Sequence, residues 1–152
     1  MSNSKSIVAN CLDNFNKLSS DCPRLFFAPG RANLLGAHMD YNGGVVMPVT
    51  LSKGTYLAIS PRTDKNIYVN SAQFDNECNI FSLEELSVER EKSWVSYVEA
   101  ACWVFNKRWP LSQGLNLSIS SNLPIAKGLS SSASLVCVVL YALVKQYGVD
   151  AS

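Results

Sequence analysis

The sequence predicts an α+β fold of one domain, because segments with helical periodicity are interspersed with short strand-like segments along the chain. The 152 residues are 47% hydrophobic and 16% charged, which supplies a core and argues against disorder. Three segments carry apolar residues at helical spacing, and five short segments are typical of strands. No internal repeat or low-complexity linker divides the chain.

The first two predicted helices each have one apolar stripe. The first covers residues 4–19; the second follows a capping serine, Ser93, and runs to about Lys107, with Pro110 beyond its end. In the first helix the apolar residues are Ile7, Cys11, Phe15 and Leu18. In the second they are Trp94, Tyr97, Val98, Ala101, Cys102 and Phe105.

The third predicted helix starts among Ser130 to Ser134 and runs to Tyr147, where Gly148 can cap it. Its central sequence, LVCVVLYALV, is apolar nearly all round. This composition predicts a helix that is buried on most of its sides.

The first three predicted strands lie in the N-terminal half of the chain. RLFFA (residues 24–28) is typical of a buried strand that ends at Pro29-Gly30. VVMPV (45–49) and TYLAIS (55–60) are predicted as two strands separated by a tight turn, LSKG (51–54).

Two further strands are predicted from alternation of apolar and polar residues. NIYVN (66–70) is a short strand of this kind. GLNLSISS (114–121) alternates Leu115, Leu117 and Ile119 with polar residues, which predicts one buried face.

Composition and charge exclude several classes of function. The net charge of +1 gives no general electrostatic case for binding nucleic acid or an acidic membrane. No apolar run approaches the roughly 20 residues that span a bilayer, and the N-terminal segment MSNSKSIVANCLDNF lacks the apolar region of a secretion signal. The five cysteines are scattered without a C-x-x-C, which favours reduced thiols in a cytoplasmic protein.

A polar, glycine-rich stretch, GRANLLGAHMDYNGG, occupies residues 30–44 directly after an apolar run. It contains Arg31, Asp40 and His38, the only histidine of the chain. Taken singly, these residues fit an ordinary turn, since turns favour Asn, Asp and Gly. The stretch is therefore informative only as an ordered string.

A second stretch, LPIAKGLSSSASLVCVV, occupies residues 123–139, where it follows a strand and opens the third helix. A helix N-terminus suits phosphate, because it presents unpaired N–H groups and a partial positive charge. Gly128 allows close backbone approach, and Lys127 adds positive charge. Hydroxyls that could bind phosphate or a metal ion are on Ser130, Ser131, Ser132 and Ser134. Capping requires one serine rather than four, but the cluster alone is weak evidence.

Together the two stretches resemble the motifs of the GHMP kinases, most closely of the galactokinase branch. The first family motif is A-P-G-R-x-N-x-x-G-E-H-x-D-Y-x-x-G, and residues 28–44 are APGRANLLGAHMDYNGG. The second is P-x-G-x-G-L-S-S-S-A-S, and residues 124–134 are PIAKGLSSSAS. The resemblance covers about residues 24–145 and implies a domain like the second domain of ribosomal protein S5, with a mixed sheet backed by helices. Residues 1–152 would form an incomplete N-terminal kinase domain that binds sugar and ATP, without the C-terminal domain.

The resemblance also implies a sugar site in the first motif. Asp40 would accept hydrogen bonds from ring hydroxyls, and His38 would contact a hydroxyl at the sugar's edge. Arg31 would be the catalytic residue, near the transferred phosphate, where it would stabilise developing charge. Ala37 stands in the sugar site where galactokinases usually carry Glu, so one hydrogen bond to the far end of the sugar is missing.

For the nucleotide, the resemblance implies that the second motif cradles the phosphates of ATP, with Ser132 as a Mg²⁺ ligand. The residues that would bind ATP are Lys127, Gly128, Leu129, Ser130, Ser131, Ser132 and Ala133. The segment around residues 56–71 would help to form the adenine pocket. Ala126 replaces a glycine of the family motif, which is tolerable only at negative φ.

The implied activity is that of a transferase of galactose metabolism, which phosphorylates the anomeric hydroxyl of galactose or a related sugar. In the family, a catalytic aspartate and an acidic Mg²⁺ ligand lie downstream, and neither has a counterpart before Ser152. The remainder of the kinase would therefore be needed, and the 152-residue chain alone would be inactive. One alternative is a non-catalytic sensor that binds sugar and ATP. Another is that the chain belongs to a GHMP branch that acts on a different small alcohol. The His-x-Asp-Tyr string argues against this second alternative.

Overall fold

The computed structural model describes residues 2–36, 39–74, 77–87, 93–124 and 128–150. The described chain contains three α-helices, five strands and one short 3₁₀ turn. In chain order the elements are α1 (Ser2–Phe15), β1 (Arg24–Leu35), the 3₁₀ turn (Asp40–Asn42), β2 (Met47–Pro61), β3 (Asn66–Ser71), β4 (Asn79–Ser82), α2 (Trp94–Arg108), β5 (Leu115–Ser121) and α3 (Ser131–Tyr147).

The strands form one mixed sheet in the order β1-β2-β5-β3-β4. β3 and β5 pair in parallel, and all other neighbours pair antiparallel. The predicted α+β class and the mixed sheet backed by helices are confirmed. β4, a four-residue strand at one edge, was not predicted from the sequence.

Helices cover both faces of the sheet. On one face, α2 and α3 pack against apolar side chains of the central strands, including Leu57, Ile67 and Leu117. On the other face lies α1, whose Cys11 and Phe15 are fully buried. The main core therefore lies between the sheet and the α2–α3 pair.

The prediction that β5 has only one buried face was wrong. Residues 115–120 are all buried, including the polar residues Asn116, Ser118 and Ser120. α1 covers this polar face: the Ser118 hydroxyl donates to the Cys11 carbonyl at 3.0 Å, and the Cys11 thiol donates to the Ser118 carbonyl at 3.2 Å. Hydrogen bonding to a helix thus offsets the cost of burying Ser118. The buried Ser120 hydroxyl has no hydrogen-bond partner among the described residues.

β1 and β2 are longer than the sequence predicted. β1 continues through Pro29 and Gly30 to Leu35, and a register shift follows Pro29. β1 is an edge strand, where a proline can be accommodated at an irregularity of the pairing. The predicted turn at 51–54 was also wrong, because this segment lies inside continuous β2 and Gly54 pairs with Pro29.

The helix predictions hold with one adjustment. α1 ends at Phe15 rather than at residue 19. α2 starts after Ser93, which forms a reciprocal capping box with Ser96, and α3 ends at Tyr147 with Gly148 in a left-handed cap. α3 is buried on most sides, apart from an exposed stripe that includes Cys137 and Tyr141. In the described part of the chain, no helix is long and apolar enough to cross a membrane.

Candidate active site

The two motifs meet in space although about 100 residues separate them. We call residues 31–50, the far ends of β1 and β2 with their connection, the polar hairpin. We call residues 128–134 the serine loop. The Arg31 N–H donates to the Leu129 carbonyl at 3.3 Å, which joins the base of the polar hairpin to the serine loop.

Gly30 shows how closely the motifs pack. A Cβ at this position would lie 2.5 Å from the Leu123 Cδ2 atom and 2.9 Å from the Leu129 carbonyl oxygen. Both separations are below normal contact distances, so only glycine lets β1 approach the second motif this closely.

The serine loop has an unusual backbone. Gly128 has φ of +70°, and Ser130, which precedes α3, has φ of +58° and ψ of +40°. No atom of the described residues lies within 4 Å of a Cβ placed at Gly128, so the described part of the chain leaves open space beside its backbone. Within the described residues, the Ser130 side chain makes no capping hydrogen bond to α3. The first N–H groups of α3 thus receive no cap from this serine, a feature that suits an anion.

The four serines of the loop fall into two groups. Ser130 and Ser131 are half-buried and Ser132 is exposed, whereas Ser134 is 3% exposed. The Ser134 Oγ lies 2.8 Å from the Ala28 carbonyl and 2.9 Å from the Thr55 hydroxyl. The expectation that Ser134 offers its hydroxyl to phosphate or metal was wrong, because this hydroxyl is engaged inside the fold.

A cavity of about 290 Å³ lies beside the start of α3. Ser131 and Ser132 line it, as does Thr55 of β2. Three aromatic residues also line it: Phe74, Trp94 and Tyr97. The cavity therefore combines hydroxyl groups with apolar, aromatic surface.

Phe74 and Trp94 stack on each other, with ring centroids 5.3 Å apart and planes at 6°. Sequence analysis placed Trp94 on the apolar face of α2 and did not single out Phe74. Phe74 lies three residues beyond the segment 56–71 that the resemblance associates with adenine, and Ser71 of that segment also lines the cavity. No local sequence pattern pairs these rings, because they meet only through the packing of α2 against the sheet.

The polar hairpin is described in part. Arg31 is exposed and pairs across the sheet with Thr50. Asp40 begins the 3₁₀ turn, but its side chain lies outside what the structure describes. Ala37 and His38 also lie outside the described residues. The Asn33 Oδ1 atom is buried and has no hydrogen-bond partner among the described residues, so this motif contains an acceptor that a ligand or water could satisfy.

Two further predicted nucleotide residues, Leu129 and Ala133, lie at the same end of the molecule. Leu129 is half-buried and Ala133 is exposed in the first turn of α3. Lys127 and Ala126 lie outside the described residues. No group of three or more His, Cys, Asp or Glu side chains that could hold a metal ion occurs in the described ranges.

The tip of the polar hairpin is apolar and exposed. Leu34, Leu35, Val45 and Met47 are 60%, 68%, 92% and 55% exposed, and Leu35 pairs with Met47. We call these four residues the apolar tip. A cluster of exposed large apolar residues marks a site of contact with another part of a protein or with a partner.

Comparison with known proteins identifies the family of this chain. A family model of the galactokinase galactose-binding signature matches residues 13–61, and one of the GHMP kinase N-terminal domain matches residues 96–152. Galactokinase from Clostridium beijerinckii is 41% identical over 135 residues, which are 82% of this chain. The chain belongs to the GHMP kinases, in the galactokinase branch.

Solved structures of GHMP kinases share the fold. Lactococcus lactis galactokinase, solved in complex with galactose, has a TM-score of 0.86 at 32% identity and aligns with 96% of this chain. Methanococcus jannaschii mevalonate kinase has a TM-score of 0.75 at 19% identity and aligns with 88%. The second likeness shows the fold alone.

The chain spans only about a third of the length of these relatives. It covers 34% of the Clostridium beijerinckii galactokinase and 29% of the Bacillus subtilis galactokinase, to which it is 41% identical over 117 residues. It covers 39% of the Lactococcus lactis galactokinase structure.

Proposed function

We propose that this chain is the N-terminal part of an ATP-dependent sugar kinase, in which residues 1–152 are an incomplete N-terminal domain. The kinase transfers the γ-phosphate of ATP to the anomeric hydroxyl of galactose or a related sugar. The observation that carries the proposal is the junction of the two motifs, where Arg31 of the polar hairpin hydrogen-bonds to Leu129 of the serine loop. That junction brings a polar ligand site and an anion site together, as phosphoryl transfer requires.

On the nucleotide side, we propose that the phosphates bind along the serine loop from Lys127 to Ala133. The open space beside Gly128 and the helix N-terminus after Ser130 support this placement. The purine base would then lie towards the stacked rings of Phe74 and Trp94, which line the same cavity.

The donor chemistry of the site also fits a magnesium ion. Mg²⁺ prefers oxygen ligands and keeps several waters while it contacts substrate phosphates. Ser132, exposed at the cavity, offers one hydroxyl oxygen. We propose that Ser132 holds the ion, which would neutralise charge on the phosphates, with further acidic ligands from the remainder of the kinase.

On the sugar side, we propose that Asp40 and His38 bind ring hydroxyls, beside Ala37. Arg31 has an exposed side chain at the base of the same hairpin, where its guanidinium can stabilise charge on the transferring phosphoryl group. The buried and unpaired Asn33 Oδ1 atom supports the assignment of this motif to a polar ligand.

We propose that a general base comes from the remainder of the kinase, which also covers the apolar tip. The small-molecule partners of the kinase are sugar and ATP. We propose neither a nucleic acid nor a membrane as a partner. The five cysteines, all free thiols, support a cytoplasmic location.

The test uses the full-length protein that contains this chain. Isothermal titration with galactose, other hexoses and ATP–Mg²⁺ should show binding, and an assay of ADP release should show turnover with galactose or a related sugar. Binding of both ligands without turnover would replace the kinase with a non-catalytic sensor. Absence of sugar binding would contradict both.

Asp40→Ala in that protein tests the sugar site. Loss of a charged hydrogen-bond partner should weaken sugar binding by about 1.5–3 kcal/mol while nucleotide binding and the fold are kept. Asp13→Ala, which removes an exposed carboxylate of α1, is the matched control and should leave both affinities unchanged. If Asp40→Ala unfolds the protein while the surviving fraction binds sugar normally, the role of Asp40 is structural.

A further inference from the structure

The structure contains a buried chain of hydroxyl groups beneath the candidate site. It runs from Thr55 of β2 to Ser134 of α3 and ends at the carbonyl of Ala28 in β1. The half-buried Ser121 of β5 lies 3.4 Å from Thr55, oxygen to oxygen, but its single proton goes to the Gly54 carbonyl at 3.1 Å. One serine of the serine loop is thereby hydrogen-bonded to two strands of the sheet, β1 and β2.

The direction of these hydrogen bonds follows from proton counting. A carbonyl oxygen can only accept, so the single Ser134 proton points to Ala28, and Thr55 donates to the Ser134 oxygen. Ser134 thus uses its donor towards β1 and an acceptor towards β2 at the same time. Removal of its hydroxyl would leave the Ala28 carbonyl without this donor in a buried setting.

The Ser134 link is one of two hydrogen-bonded links between the motifs that the described residues show. The other is the backbone hydrogen bond from Arg31 to Leu129. The two links bracket the segment from Ala28 to Arg31 on β1 and the segment from Leu129 to Ser134 at the start of α3. Close packing at Gly30 fills the space between them. A movement of the serine loop on binding phosphate would therefore be transmitted to the base of the polar hairpin.

We propose that Ser134 is a positioning residue that couples the nucleotide site to the sugar site. Its hydroxyl holds the start of α3 in register with β1, so that nucleotide binding at the serine loop places Arg31 for the sugar. Ser134 touches neither ligand. This inference rests on the proposed function, because the coupling it describes is between the two proposed ligands.

The test measures the dissociation constant of galactose for the full-length protein, with and without a non-hydrolysable ATP analogue and Mg²⁺. Coupling between two sites is ordinarily at least about 5-fold in affinity. We expect the wild-type protein to show such a ratio and Ser134→Ala to bring the ratio towards one. Galactose binding without nucleotide should change little, and kcat should fall more than KM changes.

A matched control separates coupling from loss of stability. Ser118→Ala also removes a fully buried serine hydroxyl that bonds to a backbone carbonyl, but on the α1 face of the sheet. It should lower the unfolding temperature as Ser134→Ala does and leave the coupling ratio at the wild-type value.

A second pair of variants keeps the proposal testable if Ser134→Ala fails to fold. Thr55→Val keeps the shape of the side chain but removes the donor to Ser134, and should lower the ratio. Thr55→Ser retains the hydroxyl and should restore it. The proposal is overturned if Ser134→Ala and Thr55→Val keep the wild-type ratio, if Ser118→Ala lowers it equally, or if the wild-type ratio is already one. Failure of the wild-type protein to bind galactose at all would instead overturn the proposed function.

Discussion

The serine loop and the polar hairpin lie at the same end of the sheet, but the fold supports them in opposite ways. The serine loop is held by a buried hydroxyl at Ser134, 3% exposed, and by close packing against Gly30. The polar hairpin extends beyond β5, which pairs only with residues 55–61 of β2, and it carries the apolar tip, where Val45 is 92% exposed. In the proposed kinase, the nucleotide half of the site would thus be built largely from this chain, whereas the sugar half would need a cover.

The proposed site would be divided between parts of the kinase according to what each ligand requires. A phosphate site requires fixed backbone N–H groups, which a packed helix terminus supplies locally. A sugar site must surround a small polar ligand, and enclosure needs walls from more than one element. Among the described residues, the polar hairpin supplies one wall of the proposed sugar site. We therefore expect nucleotide binding to depend on the backbone geometry of the serine loop, and turnover to depend on the remainder of the kinase.

The largest expected effect is loss of turnover in the isolated 152-residue chain. A general base typically contributes about 10²–10⁴-fold to rate, and positioning by a closed site contributes more. We expect turnover far below the roughly 1–100 s⁻¹ typical of kinases. The measurement is ADP release with ATP–Mg²⁺ and a panel of sugars, with the full-length protein as positive control. Turnover near 1 s⁻¹ by the isolated chain would show that it contains a catalytic base.

The next effect is expected for Gly128→Val in the full-length protein. The φ of +70° at Gly128 is a conformation that costs an L-residue roughly 1–2 kcal/mol, and more for a β-branched one. The loop should therefore change its path, and nucleotide affinity should fall at least about tenfold while galactose affinity in the absence of nucleotide is kept. Titration calorimetry with each ligand alone measures both.

Gly148→Val is the control for Gly128→Val. Gly148 has φ of +62° with nothing within 4 Å of a Cβ, so the same backbone strain is introduced at the opposite end of α3. It should reduce stability without affecting either affinity. Equal loss of sugar and nucleotide binding in Gly128→Val would mean that the serine loop supports the fold rather than the nucleotide.

The sequence predicted the family and the local helix signals better than it predicted the packing. The ordered string APGRANLLGAHMDYNGG and the serine cluster identified the family, because residue type and spacing are local properties of the chain. The start of α3 and its cap at Gly148 were also predicted, since caps depend on one or two residues.

What the sequence did not predict depends on long-range contacts. Ser134 resembles its neighbouring serines in sequence, and only its contacts with Ala28 and Thr55, 106 and 79 residues away, distinguish it. The same is true of Phe74 beside Trp94. The turn predicted at 51–54 failed because local turn propensity was overridden by pairing of β2 with β1.

A smaller effect is expected at the apolar tip. The isolated chain should self-associate through it, because exposed Leu, Val and Met side chains are removed from water on contact. Leu35→Lys with Val45→Lys should lower the apparent mass in sedimentation velocity without changing the circular dichroism spectrum. Val104→Lys is the control, because it replaces a 53% exposed valine of α2 that is distant in sequence from the hairpin. It should leave self-association unchanged. Equal self-association of the double variant and wild type would place the contact elsewhere.

The smallest expected effect lies outside both motifs. It tests whether residues outside the serine loop and the polar hairpin also influence ligand binding. Arg62 donates from Nε and Nη2 to the two carboxylate oxygens of Asp64 at 2.8 and 2.6 Å, and its guanidinium lies 3.9 Å from the Tyr68 ring centroid. The hydrogen bonds from Arg62 lower the pKa of Asp64 from 3.8 to about 2. Since the folded-state pKa is depressed, the stabilisation is present above about pH 4 and is lost as pH falls towards 2.

Asp64→Asn in the full-length protein should therefore be less stable than wild type at pH 7, and the difference in urea midpoint should close between pH 4 and pH 2. Asp64 is 39% exposed, so the difference at neutral pH should be small. Asp13→Asn, on exposed α1, controls for loss of a surface charge and should show no such pH-dependent gap. Galactose and nucleotide affinities at pH 7 should equal those of wild type, because this pair adjoins neither the serine loop nor the polar hairpin in sequence or in sheet pairing. A change in either affinity would show that residues far along the sheet also support the site. The contacts of the serine loop and the polar hairpin would then not be enough to explain how the site is held in place.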